Sequence, residues 1–493
     1  MADLFALVDA YDPDIILMPE ADTWMQRLRE QARASRLTMP FSRTGKYRQL
    51  DSRLYWSYGK MEHTGSALIP DGRILIDTAQ SFVYRQSGLP GVLVAARLAG
   101  LPPNLASRFT PGTLISGYEI YEAVRQGITV PFRKSDVEVT RKFAALKSAD
   151  RGGMMFQPVA GLYVNVDEID FTSLYPSIIA RYNLSPETIG DPDRSGFFAA
   201  ALRPLVAMRI RTKRMKKSDP QIAGIDSILK WMLVTCFGYT GYKNAKFGRI
   251  EVHEAITRLS RDILIRTKEI AESMGFVVLH GIVDSLWVQG PQVAALKERV
   301  DRETWLTVEV EHFDWIVFLP LRDEFGSYNR YYGRLSDTSI KVRGIAARRH
   351  DTPEFIRSMQ GSMLALMAGA AGRGELEDLR EEVRQLYLDA VQRLPDADVK
   401  DLVINRRISR LTYSHRCLEA AAVEACRRSG IEIAPGMKIG YVVRDARTYA
   451  VDTGWDAEHF DLLYYRTLLE KAWAEISYAF RCGVSHNAGT TVK

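Results

Sequence analysis

Apolar and polar positions follow different periods in successive parts of the chain, and these periods predict its architecture. Residues 1–105 combine short apolar runs at 15–17 and 74–76 with stretches of helical spacing, which predicts an α/β unit. Proline and glycine interrupt the pattern between residues 101 and 153, where we place a boundary region. From about residue 353 onward the spacing is mainly helical, which predicts a C-terminal helical domain.

In the middle of the chain, two predicted strands bring an acidic residue to a turn. Residues 162–171 have the apolar character of a strand, and Asp170 lies near its end. Residues 276–288 predict a β-hairpin with Asp284 near its tip. Neighbouring strands could present the two carboxylates side by side, and Mg²⁺ prefers such oxygen ligands together with substrate phosphates. An Asp at a strand end is more often a turn residue, so the spacing alone leaves both interpretations open.

Between these strands, the pattern predicts a basic helical hairpin. Residues 197–217 and 222–237 have helical spacing and are separated by Ser-Asp-Pro, so the two helices are expected to run antiparallel. Arg209 and Lys213 are four residues apart on the first helix and therefore share a face. A solvated charged helix is the ordinary interpretation of such a face.

Composition narrows the class of protein. The chain has 493 residues, of which 46% are hydrophobic and 26% charged, which is ordinary for a soluble enzyme of several domains of ~150 residues each. No apolar run approaches the ~18 residues of a membrane span, and the N-terminus does not resemble a signal peptide. The net charge of +6 is compatible with a polyanionic partner. Four scattered cysteines favour a reducing, cytoplasmic location over a disulfide framework: Cys236, Cys417, Cys426 and Cys482.

A longer motif surrounds the first carboxylate. Residues 170–179 read Asp-Phe-Thr-Ser-Leu-Tyr-Pro-Ser-Ile-Ile, and Asn-Leu-Ser-Pro-Glu-Thr follows at 183–188. This string resembles the first polymerase signature of the family B DNA polymerases. Gly-Gly-Met-Met-Phe-Gln-Pro at 152–158 and Lys-Val-Arg-Gly-Ile-Ala-Ala-Arg-Arg at 341–349 resemble further segments of that family, in the family's order.

The resemblance implies a role for each matched residue near the reacting phosphates. Asp170 and Asp284 would be the catalytic, metal-binding carboxylates of the palm, with the backbone carbonyl of Phe171 as a further ligand of two Mg²⁺ ions, for which Mn²⁺ could substitute. Tyr175 would exclude a 2′-hydroxyl, although an aromatic packed in the core is the alternative. The expected nucleotide-binding residues are Ser173, Leu174, Tyr175, Arg209, Lys213, Lys230, Val234 and Phe237.

The same resemblance implies a surface for primer-template DNA. Arg330 and Tyr331 lie where the family has a Lys-Lys-Arg-Tyr element, although ordinary surface residues remain the alternative. The expected DNA-binding residues are Gly238, Tyr239, Ser285, Arg330, Tyr331, Lys341, Arg343 and Arg348.

Three positions depart from the family pattern around the expected active site. Val234 and Phe237 replace an Asn and a Tyr of the second signature, and Ile282 replaces the first Asp of the third. The metal pair is retained, but a pocket with fewer polar contacts should discriminate less between substrates.

The N-terminal part departs further. It resembles a proofreading-exonuclease segment near residues 11–17 but has Glu20 and Met25 where that segment has an Asn and a metal-binding Asp. Asp136-Val137-Glu138 comes too late to be the opening exonuclease strand, and the Tyr47-x-x-x-Asp51 spacing is interpreted as chance. Absence of proofreading is therefore expected, as in the short, divergent second group of the family that is found mainly in archaea.

These features together predict an α/β (α+β) multidomain protein with the right-hand polymerase fold. The expected domains are a degenerate exonuclease-like domain of ribonuclease H type at 1–105, a linker leading into the palm at 106–160, palm at 161–196, a helical fingers hairpin at 197–245, palm again at 246–350 and a helical thumb at 351–493.

The predicted function is template-directed DNA synthesis in repair or translesion synthesis, in a cytoplasmic, nucleoid-associated setting. The expected partners are primer-template DNA and deoxynucleoside triphosphates, with a sliding clamp or accessory subunits left open. Two alternatives remain, a weakened or inert polymerase-fold scaffold that binds DNA and, with less support, a nuclease acting through the N-terminal domain.

Overall fold

A computed structural model describes residues 2–57, 60–134, 140–149, 152–322 and 325–481. Asp136-Val137-Glu138 and Cys482 lie outside these described residues. Within them, helices and strands are mixed throughout, as the hydrophobic pattern predicts.

The N-terminal part is a small α/β unit around one parallel strand pair. Strand β1 pairs with β6 in parallel, and Phe5, Met25 and Leu75 are buried in the core beside this pair. Its elements are α1 (Ala2–Tyr11), β1 (Ile15–Met18), α2 (Ala21–Ala34), β2 (Tyr47–Leu50), β3 (Arg53–Ser57), β4 (Lys60–Thr64), β5 (Ala67–Pro70) and β6 (Ile74–Asp77).

The helices that follow do not form a linker. Residues 106–160 were expected to connect two domains, but Pro111–Arg125 is a helix whose buried side chains lie in the same core as those of the central helices. A segment with breakers at its ends can still be helical inside, and here Thr110 caps the helix with Pro111 in its first turn. The elements are α3 (Phe82–Ala99), α4 (Pro103–Ala106), α5 (Pro111–Arg125) and α6 (Phe143–Ala149).

A seven-stranded antiparallel sheet forms the centre, with strand order β13-β12-β11-β8-β10-β9-β7. Its strands are β7 (Met155–Phe156), β8 (Gly161–Phe171), β9 (Val277–Ile282), β10 (Ser285–Gln289), β11 (Val308–Arg322), β12 (Phe325–Leu335) and β13 (Ile340–Arg343). The helices of this part are α7 (Leu174–Arg181), α8 (Phe197–Met215), α9 (Pro220–Thr240), α10 (Ile250–Ser273) and α11 (Val293–Thr304). The predicted β9–β10 hairpin and the antiparallel pair α8–α9 are both confirmed.

The two faces of the sheet differ because side chains alternate along each strand. Ile169, Leu286 and Val308 face the helices and are buried in the main core. Asp170 and Glu309, which are opposite each other in the β8–β11 register, lie on the other face, which we name the carboxylate face.

Helix α9 is apolar for a packing reason. Among the described residues it is the one helix long and apolar enough to cross a membrane by length and composition. Ile228, Met232 and Cys236 on this helix are fully buried, and the helix packs against α3, α5 and α8. Its composition is therefore explained by contacts inside the protein.

The C-terminal part contains more than the expected helices. Ile404–Arg407, Lys438–Asp445 and Ala450–Thr453 form a three-stranded antiparallel sheet, which the prediction of a mainly helical C-terminal part did not include. Single short strands of four residues give little periodic signal, and only their pairing reveals them. The elements are α12 (Glu354–Met367), α13 (Arg373–Asp378), α14 (Arg380–Arg393), β14 (Ile404–Arg407), α15 (Leu418–Arg428), β15 (Lys438–Asp445), β16 (Ala450–Thr453) and α16 (Leu462–Ser477).

Candidate active site

The structure brings Asp170 and Asp284 together, as their positions at predicted strand ends suggested. Ser285, directly after Asp284, is the register partner of Asp170 in the β8–β10 pair. The backbone N–H of Phe171 donates to the carbonyl oxygen of Asp284 at 2.9 Å, which fixes the hairpin tip beside the end of β8. Ser285 Oγ donates to Asp170 Oδ1 at 3.1 Å, so this expected DNA contact instead orients a carboxylate.

The backbone is strained on both sides of the carboxylate pair. Val283 has φ +53° and Ser173 has φ +55°, a region that residues with a Cβ rarely adopt. Val283 forms the turn of the β9–β10 hairpin with Asp284, and Ser173 precedes α7. Such strain costs of order 1–3 kcal/mol per residue and persists where surrounding contacts over-determine the geometry, which is common at functional sites.

Burial and mutual repulsion perturb Asp284. Removal from water and, to a smaller extent, the negative charge of Asp170 raise the pKa of Asp284 to about 6, while Lys230 and Lys213 oppose the shift. Two carboxylates that repel each other in this way favour binding of a cation between them.

Lys213 already supplies one cation to this site. Its Nζ lies 3.3 Å from Asp170 Oδ2, 3.0 Å from Glu309 Oε2 and 3.0 Å from Thr172 Oγ1. Glu309 is a residue that the sequence reasoning missed. The alternating Val-Glu-Val-Glu at 308–311 was the available signal, because it predicts a strand with both glutamates on one face.

The other two expected phosphate-binding cations differ from each other. Arg209 is only 5% exposed and forms an ion pair with Asp226 on α9, which also accepts from Thr212 Oγ1 at 3.0 Å. Lys230 is exposed on α9 and has no hydrogen-bond or ion-pair partner in the part of the chain that the structure describes. Partial desolvation and repulsion by Arg209 lower the pKa of Lys230. Lys230 is therefore available to an anion, whereas Arg209 is occupied by Asp226.

Three rings stack beside the carboxylates. The Tyr175 and Phe237 centroids are 3.9 Å apart, and Phe237 stacks on His253 at 4.5 Å. Val234 lies one helical turn before Phe237 on α9 and is 49% exposed. The expected nucleotide face of α9 thus presents Lys230, Val234 and Phe237 in a row.

Leu174 departs from its predicted role as a nucleotide-binding side chain. It is 3% exposed and packs in the main core, because it faces inward at the first position of α7. The ring of Phe171 is likewise buried, at 2% exposed. Only backbone atoms of Leu174 and Phe171 are therefore left to contact a ligand in the site.

Several expected DNA contacts are held in internal interactions. Tyr331 is 4% exposed in an aromatic cluster with Trp287 and Phe318, which corrects the expectation that it lies on a surface. Arg330 Nη2 pairs with the carboxylate of Glu475 at 2.7 Å.

Lys341 is bound between two carboxylates of the sheet. Its Nζ lies 2.6 Å from Glu168 Oε2 and 2.5 Å from Glu311 Oε2. These carboxylates raise the pKa of Lys341, although burial opposes the shift. Such a lysine stabilises the sheet edge, because both acids are directly opposite each other in the β8–β11 register.

The remaining expected DNA contacts are more open. Arg343 and Arg348 are exposed, and Arg348 Nη1 donates to the carbonyl of Val342 at 2.7 Å. Gly238 lies on α9. The ring of Tyr239 packs closely on Gly112, since a Cβ atom added to Gly112 would lie 2.0 Å from the hydroxyl oxygen of Tyr239. The exposed arginines therefore remain the best placed of this set.

The donor set fits a divalent cation that keeps open positions. Asp170 and Asp284 supply two carboxylates, Phe171 supplies a backbone carbonyl, and Mg²⁺ commonly uses one or two carboxylates with waters and substrate phosphates. Within the described ranges, no group of three or more His, Cys, Asp or Glu forms a closed metal site. A metal site whose remaining ligands come from water and substrate phosphates is consistent with both observations.

Comparison with known proteins gives matches of one kind. The family model "DNA polymerase family B" matches residues 120–196. DNA polymerase 2 of Saccharolobus solfataricus is 33% identical over 307 residues, which are 60% of this chain and 47% of that protein. A DNA polymerase of Archaeoglobus fulgidus is 26% identical over 423 residues, covering 79% of this chain and 50% of that protein. This chain thus spans about half the length of these relatives.

Comparison of the fold with solved structures also finds a DNA polymerase. A family B DNA polymerase of Pyrobaculum calidifontis matches 100% of this chain and 72% of its own, with a TM-score of 0.65 and 21% sequence identity. The segment 120–196 contains β8 and Asp170, so the family match includes one of the two carboxylates of the site. In sequence and in fold, this chain is similar to the family B DNA polymerases.

Proposed function

We propose that this chain is a template-directed DNA polymerase that extends a primer 3′-end by two-metal phosphoryl transfer. The observation that carries the proposal is the pairing of Asp170 and Asp284 at adjoining strand ends, beneath a helix that presents Lys230. The similarity to archaeal DNA polymerases supports it. Its substrates would be primer-template DNA and deoxynucleoside triphosphates, in the cytoplasm near the nucleoid.

In the proposed reaction, the primer 3′-oxygen forms a bond to the α-phosphorus of the nucleotide, and the bond to the bridging oxygen of pyrophosphate breaks. Two Mg²⁺ ions, or Mn²⁺ in their place, would lower the pKa of the attacking hydroxyl and stabilise the leaving oxygen. Asp170, Asp284 and the carbonyl of Phe171 would hold these ions.

The cations of the helical hairpin would bind the triphosphate. Lys230 is free to receive it, and Lys213 can exchange Asp170 and Glu309 for a phosphate, because both carboxylates are partly exposed. Cations aimed at the transferring group stabilise the charge that develops on it. Arg209 would fix the position of the helical hairpin through its ion pair with Asp226. It would bind phosphate only if that ion pair opened.

The aromatic stack would select the sugar. Tyr175 lies on Phe237 beside Asp284, where its ring would meet a 2′-hydroxyl. Val234 and Phe237 would line the nascent base pair with apolar surface alone, and apolar pockets discriminate between similar substrates by only ~1–3 kcal/mol. We therefore propose low fidelity and a role in repair or translesion synthesis. A sliding clamp or accessory subunits are the further partners that this role would involve.

Proofreading is not part of the proposed function. Met25, at the position of an expected exonuclease ligand, is fully buried in the N-terminal core. Incubation of a mismatched primer-template with Mg²⁺ but no nucleotide should leave the primer at full length. Shortening that persists through repurification would refute this part of the proposal.

Single-nucleotide primer extension tests the central claim. Asp284→Asn should reduce extension by at least about a thousandfold, since loss of a metal ligand removes several kcal/mol of transition-state stabilisation. Binding of primer-template, measured by fluorescence anisotropy, should change little. The inert-scaffold alternative predicts no wild-type extension, so the same assay decides between the two functions.

Sugar and base selection are tested separately. Tyr175→Ala should admit ribonucleotides, whereas Val234→Asn with Phe237→Tyr should lower misinsertion opposite normal and abasic template positions. Unchanged sugar selectivity in the first variant, or unchanged error rate in the second, would contradict the assigned roles.

A further inference from the structure

A second concave site lies at the C-terminal end of α9. It is a cavity of about 730 Å³ between the start of α8, the end of α9 and the start of α10. Nothing in the proposed reaction uses it. Its lining includes Arg194, Phe197, Tyr242, Lys243, Phe247 and Arg249.

The cavity is strongly cationic. Its lining contains five lysines and arginines but two glutamates. Both glutamates have internal partners, since Glu187 accepts from the backbone N–H of Phe197 and Glu251 pairs with Arg249 at 3.2 Å. Arg194 and Lys243 are exposed, and in the described part of the chain neither side chain has a hydrogen-bond or ion-pair partner. Two cations are thus free to bind phosphates.

Aromatic rings form the other part of the wall. Phe197 and Phe247 lie 4.9 Å apart between centroids, and Phe247 is half-buried. Tyr242 is 48% exposed, and its hydroxyl accepts from Asn244 Nδ2 at 3.1 Å. Rings beside free cations are the combination that single-stranded nucleic acids require, because bases stack on rings while phosphates contact Lys and Arg.

The cavity lies next to the expected nucleotide face of α9. Thr240 lines it and lies three residues after Phe237, which is about 4.5 Å along the helix axis. His253 connects the two places, because it stacks on Phe237 and lies within 3.3 Å of Thr240 Oγ1 through Nδ1. A strand that places one base beside Phe237 can therefore place a following nucleotide in the cavity.

We propose that this cavity binds an unpaired nucleotide of the template strand, one that has not yet reached the carboxylates. The inference rests on the proposed function for the identity of the strand. The base stacks on Tyr242, and its phosphates contact Arg194 and Lys243. A free nucleoside triphosphate offers the same base and phosphate chemistry, so the experiment includes both sources.

The test compares two DNAs that differ only in the overhang. One is a blunt duplex, and the other carries a 5′ template overhang of six nucleotides next to the same duplex. Binding is measured by anisotropy for wild type, Tyr242→Ala and the double variant Arg194→Ala/Lys243→Ala. All three positions are exposed, so the variants should keep the wild-type Tm. Arg302→Ala is the matched control, because Arg302 is an exposed cation on α11 and does not line the cavity.

We expect Tyr242→Ala to weaken binding of the overhang DNA by at least about fivefold and to leave blunt-duplex binding unchanged. The double variant should also reduce the salt dependence of overhang binding, by roughly 0.7 in log–log slope for each lost phosphate contact. Arg302→Ala should change neither measurement.

Three results would overturn the inference. They are equal losses on both DNAs, no loss on the overhang DNA, and displacement of the overhang by millimolar dATP without Mg²⁺. The last result would assign the cavity to a free nucleotide. Asp284→Asn separates this inference from the proposed function, because it should bind the overhang like wild type. Absence of extension by a wild-type protein that discriminates between the two DNAs would refute the polymerase proposal alone.

Discussion

The aspartate pair of the N-terminal unit, Asp22 on α2 and Asp77 at the end of β6, is stabilised in a different way from Asp170 and Asp284 in the central sheet. In the N-terminal unit, Asp77 at the end of β6 accepts from the backbone N–H groups of Asp22, Ala79 and Gln80 at 2.8–3.1 Å. Asp22 is bound by Arg108, whose Nε lies 3.0 and 3.1 Å from its two oxygens. In the central sheet, Asp170 and Asp284 have a lysine nearby and one carboxylate that is 40% exposed.

Under the proposed function, this difference separates a structural pair of aspartates from a metal-binding pair. Arg108 is 5% exposed and also donates to the carbonyls of Leu75 and Asn104, so its guanidinium is held in place by several contacts. Burial raises the pKa of Asp22, and Arg108 opposes that shift. A rigid bidentate guanidinium occupies the oxygens that a metal would need, whereas a single flexible ammonium can be displaced. Carboxylates at strand ends therefore indicate a metal site only when their cation can leave.

The largest expected effect separates the two pairs by activity. Asp170→Asn should reduce primer extension by at least about a thousandfold, and Asp22→Asn should leave it within about twofold of wild type, because only the first is expected to hold metal. Both are compared in single-turnover extension with saturating Mg²⁺. A comparable loss from Asp22→Asn in a protein of unchanged Tm would show that the N-terminal pair contributes to catalysis.

The free energy of unfolding should show the reverse order, with the larger effect in the N-terminal unit. Arg108→Leu leaves Asp22 buried without its partner, which typically costs about 3–5 kcal/mol in the free energy of unfolding. Lys213→Leu should cost less than about 1 kcal/mol, since Asp170 and Glu309 are 40% and 45% exposed and keep water. Urea unfolding followed by fluorescence measures both. Equal costs would mean that Lys213 is as structural as Arg108.

The buried carboxyl of Glu119 has no cation as a partner among the described residues, and it extends the comparison to pH. It accepts from Cys236 Sγ at 3.3 Å between α5 and α9, and burial raises its pKa to about 8. Because the folded pKa lies above the unfolded one, the stabilisation is complete at low pH and is lost as pH rises through about 8. We expect the free energy of unfolding to fall by up to about 1.4 kcal/mol per pH unit between about pH 5 and 8.

Glu119→Gln is the control for this pH dependence. Its free energy of unfolding should fall less steeply than that of wild type over the same range, because the amide cannot ionise, while the raised pKa of Asp284 still contributes. Identical pH profiles for wild type and Glu119→Gln would contradict the assignment.

The smallest expected effect concerns the departure at Ile282. This residue is the register partner of Ser285 and so faces the side of Asp170. Ile282→Asp should raise extension by less than about tenfold, since it adds a carboxylate beside the ions. Ile282→Asn has the same size without the charge and should give no increase. A collapse in both variants would show that Ile282 serves packing against the aromatic cluster.

Sequence and structure agree where local pattern carries the information. The basic helical hairpin, the β9–β10 hairpin and the positions of Asp170 and Asp284 follow from apolar periods and turn residues, which act over a few neighbouring positions. The three-stranded C-terminal sheet was missed, because β14 and β16 have four residues each and are recognised only through pairing with β15. The helix α5 was missed because the breakers at its ends dominated the pattern.

The amino-acid sequence by itself determined which chemical groups could act and on which kind of element each would lie. The tertiary structure alone decided which of those groups are free. Arg209 and Lys213 share one helical face in the sequence, yet Arg209 is buried against Asp226 whereas Lys213 bridges Asp170 and Glu309. The reason is physical, because strand register and helix packing bring together charges that are distant in the chain. Those long-range partners set the hydration and the available bonds of each side chain.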